Sequence, residues 1–100
     1  MVKVALSVRL VARPGKEEEV AGFLASALPL ANAEAGTTAW FAIRFDKTTF
    51  GIFDAFPNDA GRDAHLGGPI AAALMKNADV LLAQPPVIEK VDVLAAKLPA

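Results

Sequence analysis

Cysteine and tyrosine are absent from this 100-residue chain, which holds a single tryptophan and a single histidine. Without cysteine there is no disulfide, no thiolate metal site and no thiol nucleophile. One histidine and no cysteine also leave too few ligands for a zinc site, so no metal is expected. Covalent catalysis lacks its usual groups, because Ser7 and Ser26 have no base near them in sequence. Charge is scarce too: the net value of −1 gives no footprint for nucleic acid or an anionic membrane. No uninterrupted apolar run approaches the ~20 residues of a membrane-spanning helix. The opening M-V-K-V-A-L-S-V-R-L carries charges in alternation and lacks a signal-peptide pattern. The expectation is a cytoplasmic protein with no membrane or nucleic-acid partner.

What the chain does have is apolar surface. Hydrophobic residues make up 54% and charged residues 21%, which excludes disorder and points to one domain over residues 1–100. So small a monomer cannot hide that much apolar surface alone, so part of it should be covered by a partner chain.

Val2, Val4, Leu6, Val8 and Leu10 alternate with Lys3, Ala5, Ser7, Arg9 and Val11, the period of a strand, which Arg13-Pro14-Gly15 ends. Pro14 suits a helix start and Glu17, Glu18 and Glu19 suit the positive end of its dipole. Val20, Phe23, Leu24, Ala27 and Leu28 form its apolar stripe until Pro29 kinks or ends it, and Gly36 is placed as a C-cap. Thr37 to Phe45 and Phe50 to Phe56 read as a hairpin. With Phe45 opposite Phe50, one face holds Phe41, Ile43, Phe45, Ile52, Asp54 and Phe56. The other then holds Trp40, Ala42, Arg44, Gly51, Phe53 and Ala55. Large aromatics on both faces require a covering layer on each side.

Pro57 stops the third strand, and Asn58 is an N-cap for a helix from Asp59 to Leu66 that carries His65. Gly67-Gly68 breaks it. Pro69 opens a longer helix with Ile70, Ala73, Leu74, Ala78 and Leu81 on its apolar face. Val87 to Ala95 is a fourth strand, and Lys97 to Ala100 a loose tail. The order is βαββαβ, the ferredoxin-like α+β arrangement of a four-stranded antiparallel sheet with two helices on one face. The open face predicts a homodimer with its two sheets packed against each other.

His65 is the natural candidate for a general base, since its unperturbed pKa falls between pH 5 and 8. Its alternative role is a structural hydrogen bond. Asp54 lies in an apolar strand and needs a partner if buried, with Lys90, Arg44 or a helix N-terminus as candidates. Arg44 is a candidate for an anionic oxygen, or for an interface. Trp40, Phe41, Phe53 and Phe56 read as core or as the walls of a ligand cage. F-G-I-F on the third strand matches part of an RNA-recognition signature. The basic residue before the glycine is missing and the first strand has no aromatic, so that class is rejected.

The stretches R-P-G-K-E-E-E, E-A-G-T-T-A-W, F-D-A-F-P-N-D and A-H-L-G-G-P resemble the dimeric α/β-barrel family of antibiotic-biosynthesis monooxygenase-like domains, which includes small quinol monooxygenases. That family carries an acidic residue and a tryptophan on the third strand, then a histidine nine residues on; Asp54, Phe56 and His65 stand at these places. Ile70 stands where a second histidine is common, and Ser7 and Phe56 stand where a haem-degrading branch has asparagine and tryptophan. The resemblance implies oxygenation of a small aromatic, quinol or anthrone-like, by O₂ without any cofactor. It casts His65 as the base, Arg44 or Asn58 as the polar partner, and Trp40, Phe53 and Phe56 as walls; Asp54, read from its strand alone, is either a structural ion-pair residue or a substrate anchor. The competing expectation is a non-catalytic homodimer that binds a small molecule or serves as a structural module.

Overall fold

The first strand, β1 (Val4–Val11), occupies the middle of a sheet in the order β2-β3-β1-β4, with every pairing antiparallel. Its neighbours are β3 (Thr49–Phe56) and β4 (Val87–Asp92), and β2 (Ala39–Arg44) forms the far edge. The computed structural model describes residues 1–99; Ala100, the end of the expected tail, lies outside the described residues. Residues 95–99 carry no helix or strand.

Each of the two helical units is broken in two. The first comprises α1 (Glu17–Ser26) and α2 (Leu28–Asn32), separated where Pro29 cannot donate to the preceding turn. The second comprises α3 (Asp59–Leu66) and α4 (Pro69–Leu81), separated at Gly67-Gly68. Both units lie on one face of the sheet. Leu10, Val8, Phe50 and Ile52 pack there against Val20, Leu24, Leu74 and Leu81 as the main core. Among the described residues, no helix is long and apolar enough to cross a membrane.

The hairpin corrects the expected register. Arg44, not Phe45, stands opposite Phe50, so Trp40 pairs with Asp54 and Phe41 with Phe53. The cause is the turn. Asp46 Oδ1 accepts from the backbone N–H of Thr48 at 2.9 Å and of Thr49 at 2.8 Å, and Phe45 N–H donates to Thr49 O at 2.8 Å. Those N–H groups, Thr48 first, hold the Asp46 carboxyl below its usual pKa. A one-residue shift turns every β2 side chain over. Trp40, Ala42 and Arg44 therefore share the helix-covered face with Ile52, Asp54 and Phe56.

Phe41, Ile43 and Phe53 are left on the open face, where they are 53%, 43% and 38% exposed. Phe45 folds onto that face too, with the Arg9 guanidinium 4.2 Å from its ring centre. Gly51 makes the space: a Cβ there would lie 3.0 Å from Phe45 Cε2 and 3.1 Å from Val8 O. One end of the open face is covered from within, by Val2, Ala5 and Ala55 with Val91 and Val93.

Candidate functional site

Asn58 begins the site. Its Oδ1 accepts from Gly61 N–H at 2.9 Å and caps α3, which then carries His65 into the layer between helices and sheet. Arg62 anchors the same helix, donating to Ala5 O and Val91 O at 3.3 Å each and pairing with Asp59 at 3.2 Å. His65 is 7% exposed. Its Nε2 lies 2.8 Å from Asp54 Oδ2, and its Nδ1 lies 2.6 Å from Glu34 Oε1. The Glu34 contact is an aligned hydrogen bond. The Asp54 contact is close enough for an ion pair but off the line of a good hydrogen bond, which leaves both Asp54 oxygens without an aligned donor.

The result is carboxylate, imidazole, carboxylate in series. Burial pushes the imidazole toward the neutral form, but Asp54 and then Glu34 outweigh it and raise its pKa from 6.5 to about 9. The two carboxylates thus favour the imidazolium form of His65 at neutral pH. Asp54 has its partner, and it is His65 rather than Lys90, Arg44 or a helix N-terminus. The two carboxylates sit on opposite ring nitrogens, so their oxygens do not converge. Among the described residues, no group of His, Cys, Asp and Glu is arranged to hold a metal ion.

Of the residues singled out in the sequence, Trp40, Asp54, Phe56 and His65 come together in this layer. The Phe56 ring is 5.5 Å from the imidazole, centre to centre, and tilted by 44°. Trp40 packs on Ala27, Ala31 and Ile70, and its buried Nε1–H has no acceptor. Ile70 is itself core, 3% exposed. Phe53 is not part of the layer, because it points from the other side of the sheet. Arg44 is held at the hairpin end by Glu18 at 3.1 Å and by the carbonyls of Asp46 and Lys47, one end of β2 away from Trp40. Asn58 acts as a cap, two turns before His65.

Glu34 is the residue that sequence reading missed. It follows α2, and its Oε1 accepts from Thr37 Oγ1 at 2.7 Å as well as from His65. The spacing E-x-x-T across a glycine-bearing turn was the only local sign of it, because the histidine it meets is 31 positions away. A hollow of about 150 Å³ opens beside this pair, lined by Glu34, Gly36, Thr37, Gly61, His65 and Pro69. Gly61 and Gly36 close its floor: a Cβ on Gly61 would lie 2.8 Å from Gly36 O. Gly61→Ala is therefore expected to cost about 1–3 kcal/mol, by forcing the Glu34 turn away from α3. An unchanged melting temperature would show that the two segments are free to separate.

No family model matches the chain, and no curated protein does. Among solved structures, NE2512 from Nitrosomonas europaea, a protein of unknown function, is 69% identical over 100% of this chain and 97% of its own, with a TM-score of 0.98. A candidate antibiotic biosynthesis monooxygenase from Nitrosomonas europaea superposes with a TM-score of 0.81 at 15% identity, covering 92% of this chain and 90% of that one. Another from Caulobacter crescentus does so with a TM-score of 0.79 at 18% identity, covering 94% and 92%. At such identities the likeness is one of fold. The chain belongs to the family of the NE2512 protein, and its fold is that of the antibiotic-biosynthesis monooxygenase-like domains.

Proposed function

We propose that this protein is a homodimeric, cytoplasmic monooxygenase that oxygenates a small single-ring quinol with O₂, without flavin or metal. The observation that carries the reading is a buried histidine clamped between two carboxylates beside a hollow of about 150 Å³, in a fold shared with the monooxygenase-like domains. A hollow of that volume, open at the surface, has room for one aromatic ring.

The reaction balances for a simple hydroquinone. The quinol takes up one O₂, one oxygen atom enters the ring to give a hydroxyquinone, and the other leaves as water. Substrate C–H and O–H bonds supply the two hydrogens of that water, and O₂ is the only oxidant. The rate depends on how readily the quinol ionises, because its anion gives an electron to O₂ far more easily than the neutral form. In this reading His65 is not the base expected from the sequence. Both of its nitrogens face carboxylates and the ring already carries its proton, so it stabilises the quinol anion electrostatically. Trp40 and Phe56 pack in the core behind His65 rather than line the hollow, and Asp54 keeps the imidazolium charged.

A second reading is favoured by one feature. With both ring nitrogens occupied by the protein's own carboxylates, Glu34–His65–Asp54 also suits a structural ion-pair cluster in a non-catalytic dimer. Oxygen uptake separates the two. With a panel of single-ring quinols and superoxide dismutase present, the protein should consume one O₂ per quinol and place one labelled oxygen atom in the product. His65→Gln should lower the rate about 10²–10³-fold while the protein stays folded. Uptake no faster than in buffer across the whole panel would leave the structural reading in possession.

A further inference from the structure

Two hydrogen-bond donors converge on one point beside the hollow, and the protein fills that point with its own carboxylate. His65 Nδ1–H at 2.6 Å and Thr37 Oγ1–H at 2.7 Å both meet Glu34 Oε1. The arrangement is that of an oxyanion site: one charged donor, one neutral donor, and a buried setting. Glu34 fits it poorly. Its second oxygen, Oε2, is buried with no donor, against Gly68 at the start of α4, which is a penalty a bound carboxylate would normally avoid. Glu34 also sits in the irregular connection between α2 and β2, on a long side chain with several rotatable bonds. The hollow begins where its carboxylate ends and reaches the surface past Ala35 and Ala64, both exposed.

We infer that Glu34 is a resident ligand of an oxyanion site, and that a single-ring phenolate displaces it, its O⁻ taking over the donors on His65 and Thr37. The inference rests on the reading of the hollow as an aromatic site and names the form in which the substrate is held, the phenolate. The charges facing the site allow the exchange. Asp54, on the far nitrogen, keeps the imidazolium in place after Glu34 leaves, and no other carboxylate lines the hollow. While Glu34 holds the donors, only the fraction of molecules with Glu34 swung out can bind, and apparent affinity falls by that fraction. Glu34 is thus a competitor of the ligand, the opposite of a recognition or base residue.

The test is binding of 4-nitrophenolate, followed by its own absorption at a pH where it is ionised. An open fraction of roughly 1–10% predicts that Glu34→Ala binds about 10- to 100-fold more tightly than the natural chain. Glu34→Gln, nearly the same shape without the charge, should also bind more tightly, and it covers the case in which the emptied site of Glu34→Ala collapses. Adding Thr37→Val to either should weaken binding about 10-fold or more, the loss of one hydrogen bond to an anionic oxygen. A gain in either Glu34 variant supports the inference; no gain in both, or no binding in any form, overturns it. Oxygen uptake decides the other question separately. Tighter phenolate binding without turnover would sink the oxygenase reading alone, and turnover without tighter binding would sink this one alone.

Discussion

His65→Ala is expected to destabilise the protein by about 3–5 kcal/mol, because it strands Asp54, 0% exposed, as a buried charge with no partner. The same cluster predicts a pH dependence with a definite sign. The His65 pKa is raised in the folded protein to about 9, against 6.5 for the free side chain. A group whose folded pKa is raised contributes fully below the unfolded value and loses its contribution as pH climbs through the folded one. Stability should therefore fall by on the order of 3 kcal/mol between pH 6.5 and about 9, and the fall should be missing in His65→Ala. Urea unfolding at fixed protein concentration across that pH range reads both effects. Parallel pH profiles for the two proteins would mean that the imidazole is not held as an imidazolium.

Phe53→Asp is expected to turn a dimer into a monomer of 10.4 kDa. Phe53 stands on the third strand of the open face, with Phe41, Ile43 and Phe45 on one side of it, all more than a third exposed in a single chain. A patch of that kind is an aggregation hazard unless a second copy covers it. A carboxylate placed there would have to be buried without a partner in the dimer, at a cost of several kcal/mol, while in the monomer it reaches water. The helix-covered core does not include Phe53, so each subunit should keep its fold. Light scattering at micromolar concentration makes the comparison. A natural chain that is already monomeric, or a Phe53→Asp protein that stays dimeric, would remove the open face as the interface.

Much of the architecture is legible in short stretches. Alternation in residues 2–11 marks β1, and the helical spacing of Val20, Leu24, Leu74 and Leu81 marks the faces that meet in the core. Pro29 and Pro69 stand at the starts of α2 and α4, and Asn58 caps α3 through its own side chain. These are local devices, each acting over one turn of chain. The hairpin register was not legible in that way. Both faces of β2 carry large residues, so periodicity could not choose between them, and a side-chain bond from Asp46 to the Thr48 and Thr49 amides made the choice.

The site divides along the same line. The sequence by itself determined that one imidazole follows a capped helix start, and that an aspartate interrupts an apolar strand. Only the tertiary structure decided that these two face each other, that Glu34 closes on the other ring nitrogen, and that Phe53 and Arg44 stand apart. The physical reason is that charge state is a property of neighbours in space. Asp54, Glu34 and His65 come from a strand, a connection and a helix, and only their packing into one buried layer makes the imidazole hold its proton.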